Sequence, residues 1–287
     1  MRVLYSAGGG IGNVVMATPA VAALADVGFE VTLHLDAEAA PAAELLTGWA
    51  ALRALVTGEP PHSRDFDVAV RSVWSGAKRL HERELSAPRT DLARVHEAEA
   101  NLVPARRLGY TGPMPPAHVE CDTSAVALEP GTYWALAPGC NTDPFWERKR
   151  WGGWDALAAR LEGLSVFLGA RGERRGWMEA ERRLCLAGRT SLREAAGWIA
   201  CARAFVGIDN GLAHVAAALG APAVVLFGAT SETKNRPLGP RVRVLSLELP
   251  CRPCQMTPRW NECRNWRCMD IPVEAVAAAA REAARTG

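Results

Sequence analysis

Short apolar runs alternate with polar turns along the chain, and the plainest case is residues 203–230, RAFVGIDNGLAHVAAALGAPAVVLFGAT. Residues 204–208 and 223–227 are uninterrupted apolar runs, the pattern of strands buried on both faces. Between them Asp209-Asn210-Gly211 makes a polar turn, and residues 212–219 read as a helix that Gly220 ends. Strand, turn, helix, strand is the βαβ unit of a parallel sheet. In such sheets ligands bind beyond the carboxyl ends of the strands, where the turns at 209–211 and 228–230 fall. Asn210 can cap the helix, which leaves the N–H groups of Gly211, Leu212 and Ala213 facing outward. An anion suits that place, because the helix dipole and the free donors both favour negative charge. His214, one turn in, either reaches the same ligand or is an ordinary surface histidine.

The same alternation fills the rest of the chain. Strand 2–5 leads into the glycine turn SAGGGIG, with Asn13 as a cap for helix 14–24. The spacing of that turn is a poor match to the dinucleotide fingerprint. Strand 30–35 ends at Asp36, a helix is predicted over 37–46, and short strands over 52–56 and 66–70. A loop at 71–76 follows, then a helix over 91–108 that Pro104 disturbs. The pattern breaks at LEPGT, residues 128–132, which predicts two domains, 1–129 and 130–287. In the second, strands are predicted over 133–137, 164–168 and 242–247 in addition to the pair above, and helices over 154–161, 172–183, 191–201 and 273–285. The reading is α/β, with two Rossmann-like domains facing a central cleft.

Composition narrows this only slightly. At 287 residues the chain is comfortable as two domains, and 49% hydrophobic with 22% charged residues is ordinary for a globular protein. A net charge of +2 marks it as neither a nucleic-acid nor a membrane binder, though it excludes neither a local basic patch nor peripheral membrane contact. The start, MRVLYSAGGGIGNVV, is no signal peptide, and no apolar run reaches membrane-spanning length, so the expected location is cytoplasmic. Cysteines in that compartment are thiols or metal ligands more often than disulfides.

Four of the eight cysteines, Cys251, Cys254, Cys263 and Cys268, are spaced C-x2-C-x8-C-x4-C. Four thiolates so close in sequence can surround one tetrahedral ion, zinc or iron, as a structural staple before the last helix. The alternatives are four free thiols, or two disulfides if the protein is exported. Pro250, Pro253, Pro258, Trp260 and Trp266 suggest a compact knuckle with exposed aromatic faces over 251–268. Cys185 and Cys201 read as core, and Cys140 as near a ligand.

Several stretches in order resemble the heptosyltransferases of glycosyltransferase family 9, which have the GT-B fold. GGGIGNVVMATPAVAAL is similar to that family's first loop and helix, DVAVRSVWSG to a later loop on the acceptor side, and PGCNTDPFWERKRWGGWDALAARL to its Lys-x-Trp segment. The closest match is AGRTSLREAAGWIACARAFVGIDNGLAHVAAALGAPAVVLFGAT, and CRPCQ with its later cysteines also recurs. The resemblance implies an inverting, metal-independent transfer of a sugar, heptose or similar, from a nucleoside-diphosphate donor, often ADP-heptose, to a glycan hydroxyl. A protein, a metabolite or a modified nucleic-acid base is the alternative acceptor. The C-terminal domain would hold the donor through Asp209, Asn210, Gly211, Leu212, His214 and Gly188, with Lys149 on the phosphates. Lys149 is otherwise a solvated lysine beside Arg148 and Arg150. Gly10, Gly12 and Arg71 would lie on the acceptor side.

One position departs from the family. Its general-base aspartate falls on Asn13, and an amide takes no proton at neutral pH. Three explanations stand: another carboxylate serves, Asp36 first by its place at a strand's carboxyl end; Asn13 only orients the acceptor; or the chain is a non-catalytic sugar-nucleotide binder.

Overall fold

The computed structural model describes residues 1–89, 93–141, 143–173, 181–255 and 257–285. They form two units, Met1–Glu120 with Thr233–Asn235, and Cys121–Glu232 with Arg236–Gly287.

The first unit is a five-stranded, wholly parallel sheet. Its strands are β1 (Arg2–Ala7), β2 (Glu30–Leu35), β3 (Leu52–Thr57), β4 (Val68–Arg71) and β5 (Glu84–Ser86), in the order β3-β2-β1-β4-β5. The central strands β1 and β2 are buried at every position after their first, although β2 alternates in sequence: its Thr32 and His34 are polar yet buried, and His34 bonds the Ser6 hydroxyl at 3.0 Å and the Gly58 carbonyl at 2.8 Å. Helix α1 (Ile11–Asp26) packs on α2 (Glu97–Arg107). It starts at Ile11, earlier than predicted, because Gly10 is the cap and Asn13, at the third helical position, reaches back to the cap's own N–H. Pro19 lies inside α1, and the Thr18 hydroxyl takes the Val15 carbonyl that Pro19 cannot, at 2.7 Å. The helix predicted over 37–46 is a 3₁₀ segment, Ala40–Leu45, with Pro41 in its first turn. The helix predicted over 91–108 begins only at Glu97, and residues 90–92 lie outside the described residues.

The second unit is a six-stranded parallel sheet. Its strands are β6 (Tyr133–Ala137), β7 (Leu164–Phe167), β8 (Arg183–Cys185), β9 (Ala204–Ile208), β10 (Ala223–Phe227) and β11 (Val242–Ser246), in the order β11-β10-β9-β6-β7-β8. Helices α3 (Trp154–Arg160), α4 (Leu192–Ala200), α5 (Gly211–Ala218), α7 (Pro258–Glu262) and α8 (Val273–Arg285) fall between and after the strands, whereas α6 (Glu232–Asn235) has only its first residue in this unit. Ser191 and Glu194 close a reciprocal capping box on α4. Residues 174–180, most of the helix predicted over 172–183, lie outside the described residues, and Arg183 opens strand β8 instead. Pairing of β8 with β7 overrides the helical composition there. Cys185 is core as predicted, whereas Cys201 is only half-buried. No described helix is long and apolar enough to cross a membrane.

Candidate functional site

In the second unit the chemistry gathers at the carboxyl ends of β9 and β10. Asn210 caps α5 by accepting from the Ala213 N–H at 3.0 Å, so Ala213 is not among the outward donors the sequence suggested. Its Nδ2 donates to the Ala137 and Gly139 carbonyls at 3.2 and 2.7 Å. One side chain thus ties the turn after β6 to the start of α5 and leaves the first-turn N–H groups of Gly211 and Leu212 outside the helix's own bonding.

Asp209 directly follows β9 with its side chain 5% exposed, and Lys149 Nζ sits 3.0 Å from its carboxylate. Lys149 is therefore a partly buried ion-pair partner rather than a solvated lysine. It closes the 3₁₀ segment Pro144–Lys149, which Asp143 caps through the Phe145 N–H at 2.8 Å, and its ammonium lies 5.0 Å from the Trp146 ring centre. Burial pushes the Asp209 carboxyl up, but the Lys149 and His214 charges and the Thr230 hydroxyl outweigh it and hold the group below the ordinary carboxylate range. The Thr230 oxygen is buried and outside strict hydrogen-bond geometry. His214 is buried, not a surface histidine. Thr230 is a member of this cluster that the sequence reading passed over, although its turn was marked. Gly188 lies apart, past β8, where its N–H donates to Gly169 O at 2.8 Å and a Cβ would meet the Arg171 backbone at 2.5 Å.

The cysteine knuckle braces the turn after β10 and packs on the segment that carries Lys149. The N–H groups of Cys254 and Gln255 both donate to Ala229 O at 3.0 Å, and the Arg252 guanidinium donates to Gly228 O. Trp260, expected to be exposed, is 1% exposed and packs on Phe145 and Trp146, at 4.9 and 5.9 Å between ring centres, with Arg148 above it at 5.2 Å. The four thiols stand close enough to feel one another. Burial first, then the charges of Cys263 and Cys251, pushes the Cys254 thiol up; burial and the Cys254 charge push Cys268 up to about 11. Among the described residues no three His, Cys, Asp or Glu side chains stand in a ready-made metal shell.

In the first unit the glycine turn after β1 meets two carboxylates. Asp36 accepts from the Ala39 and Gly76 N–H groups at 3.1 and 3.2 Å, and a Cβ on Gly8 would lie 2.1 Å from its Oδ2. Gly9 has φ +80° and wraps the Asn13 amide, whose oxygen accepts from Gly10 N at 3.0 Å. The amide nitrogen donates to Glu97 Oε1 at 2.9 Å, and Trp74 Nε1 donates to Glu97 Oε2 at 2.7 Å. Glu97 was missed by the sequence reading, for it opens a helix 84 residues after Asn13 and no local pattern joins them. Gly12 lies in the first turn of α1. Arg71 is held by Glu84 at 2.9 Å and by the Ala77 carbonyl at 3.0 Å.

The sequence profile described as glycosyltransferase family 9 (heptosyltransferase) matches residues 109–264. Lipopolysaccharide heptosyltransferase 1 of Pseudomonas aeruginosa is 37% identical over 118 residues, which is 38% of this chain and 33% of that protein. The matched stretches span only 18–36% of the curated relatives' own lengths. Over the whole chain the fold is that of the solved GT-B heptosyltransferases. Escherichia coli ADP-heptose lipopolysaccharide heptosyltransferase II superposes with a TM-score of 0.75 at 18% identity, covering 98% of this chain and 99% of that one. The dodecameric iron-containing heptosyltransferase TibC, solved with ADP-D-β-D-heptose, gives 0.71 at 16% identity, covering 99% and 75%.

Proposed function

The chain belongs to glycosyltransferase family 9, and on that premise we propose that it moves a heptose-type sugar from a nucleoside-diphosphate donor, ADP-heptose first, to a glycan hydroxyl with inversion. The observation that carries the reading is the pairing of the partly buried Lys149 with the buried Asp209 at the N-terminus of α5, with His214 and Thr230 around it. Glycosyl transfer builds negative charge on the departing diphosphate. Preorganised positive groups aimed at that charge lower the barrier without reorganising during the reaction. The Gly211 and Leu212 N–H groups, Asn210 as their brace, and Lys149 are proposed for that role, so the chain's own cation serves where other enzymes use a divalent ion. Asp209 is proposed for a sugar hydroxyl and for steering Lys149, and Gly188 for the nucleoside. In the first unit Gly10, Gly12, Asn13, Asp36 and Arg71 are proposed to shape the acceptor side.

The four cysteines are proposed to hold one zinc or iron ion. An all-thiol donor set whose members already feel one another's charge, two of them buried, fits such an ion. When bound, the ion crosslinks the knuckle that braces the turns at Ala229 and Trp146.

The test is mass-spectrometric detection of a heptose added to a lipopolysaccharide core acceptor from ADP-heptose. Transfer is expected, with loss of at least ~10²-fold in Lys149→Met, in line with loss of a preorganised charge. Nucleotide binding without transfer to any acceptor would leave the chain a sugar-nucleotide binder.

A further inference from the structure

The first unit holds a carboxylate whose partners the proposed reaction has not yet used. Glu97 is 1% exposed, opens α2, and accepts from Asn13 and Trp74 at 2.9 and 2.7 Å. Its charge lies against the buried Tyr5 phenol, which it helps to push up after burial. The other carboxylate at this turn, Asp36, has each oxygen taken by a backbone N–H and ties loops together.

We propose that Asn13 and Glu97 form a charge-transposed pair, in which Glu97 supplies, one hydrogen bond behind Asn13, the negative charge that activates the acceptor hydroxyl. This rests on the glycosyltransferase reading. Glu97 is a positioning residue. By accepting from Nδ2 it fixes the amide's orientation, with Oδ1 turned toward the glycine turn. By polarising the amide it makes Oδ1 a stronger hydrogen-bond acceptor for a sugar O–H. It also holds the Trp74 indole, and the Val73 N–H beside it is pinned by Asn101 of the same helix at 2.9 Å. No proton moves onto the amide: as the acceptor oxygen bonds the sugar carbon and the sugar–phosphate bond breaks, the hydroxyl proton passes to solvent water or to the departing diphosphate.

The pair has a built-in control. Asn13→Asp alone sets two carboxylates at hydrogen-bond distance, and Glu97→Gln alone sets two amide groups together with one bond mismatched. The double variant keeps the three bonds described above, Gly10 to residue 13, residue 13 to residue 97, and Trp74 to residue 97. The carboxylate introduced by Asn13→Asp accepts from Gly10 N and from the amide introduced by Glu97→Gln. That amide's oxygen still accepts from Trp74, and only the charge has moved. The experiment measures melting temperature, ADP-induced stabilisation, and kcat and KM for the acceptor in all four proteins. Expected are a lowered melting temperature in each single variant and its recovery in the double. In Glu97→Gln, kcat falls ~10²-fold with acceptor KM changed less than ~5-fold, within the range for an acid–base site. In the double variant kcat recovers to at least the parent's value. Recovery of melting temperature without recovery of kcat would overturn the proposal and leave Glu97 a structural residue, as would a kcat within ~3-fold of the parent in Glu97→Gln. ADP stabilisation separates the two readings: its absence in the parent strikes the donor assignment, while its persistence alongside failed rescue strikes the pair alone.

Discussion

Replacing Lys149 by Met removes one charge and keeps the length of the side chain that lies against Trp146. What remains is Asp209, its side chain 5% exposed, with His214 and Thr230 as its other favourable neighbours. Burial is the largest influence on that carboxyl and acts to raise it; Lys149 is the largest influence against. Removing one partner of a buried pair costs ~3–5 kcal/mol. Lys149 is 14% exposed and His214 stays, which places the expected loss at the low end, ~3 kcal/mol. In a unit of this size that lowers the melting temperature by ~6–12 °C. The pH dependence has a definite sign. Because the folded carboxyl titrates below its unfolded value, its stabilisation is fully present above the unfolded pKa of ~3.9 and is lost as pH falls through the folded one. The gap between parent and variant is therefore widest near neutrality and closes on acidification below ~4. Thermal unfolding at several pH values measures it. A loss under ~1 kcal/mol at neutral pH, or a gap that does not narrow in acid, would refute the argument that Asp209 is a buried anion dependent on Lys149.

Asn210→Ala removes the cap and strands two carbonyls, Ala137 and Gly139, and should cost ~2–4 kcal/mol in urea unfolding, with Asn210→Asp in between because it keeps only the cap. Gly8→Ala puts a Cβ 2.1 Å from Asp36 Oδ2 and 2.5 Å from the Trp74 carbonyl, so transfer should fall while stabilisation by ADP is retained; equal loss of both would show that the turn also serves the nucleotide. Chelation, or Cys254→Ser with Cys268→Ser, should lower the melting temperature and weaken nucleotide binding, since the knuckle holds Ala229 and packs Trp260 on the Lys149 segment. Metal analysis of anaerobically purified protein that finds neither zinc nor iron would remove that site.

The strands of the parallel sheets were legible because burial on both faces leaves a mark that needs no partner to read: β6, β9, β10 and α8 fall where the pattern puts them. The Asn210 cap was legible as well, since it acts within four residues of itself. The start of α1 was misread because a cap glycine carries no side-chain signal and Asn13 resembles a cap while acting from the third position. Strand β5 was missed, being three residues long at an edge, where little burial is written into sequence. Trp260 was judged exposed because prolines cluster around it, and partners more than a hundred residues earlier, Phe145 and Trp146 among them, help to bury it. The same distance hid Glu97 from Asn13. Side chains brought together by β-sheet topology leave no local period, so the site's long-range members come from the structure.

The central claim is that the N-terminus of α5, with Lys149 and Asp209, holds a nucleoside diphosphate. Thermal shift with ADP, UDP, GDP, CDP and dTDP, and with their sugars, tests it most directly. A ligand at ~100 times its dissociation constant adds ~2.7 kcal/mol of stability. The account predicts a shift with one nucleotide, ADP first, that Lys149→Met abolishes. No shift with any nucleotide, or a shift that Lys149→Met leaves intact, would contradict it.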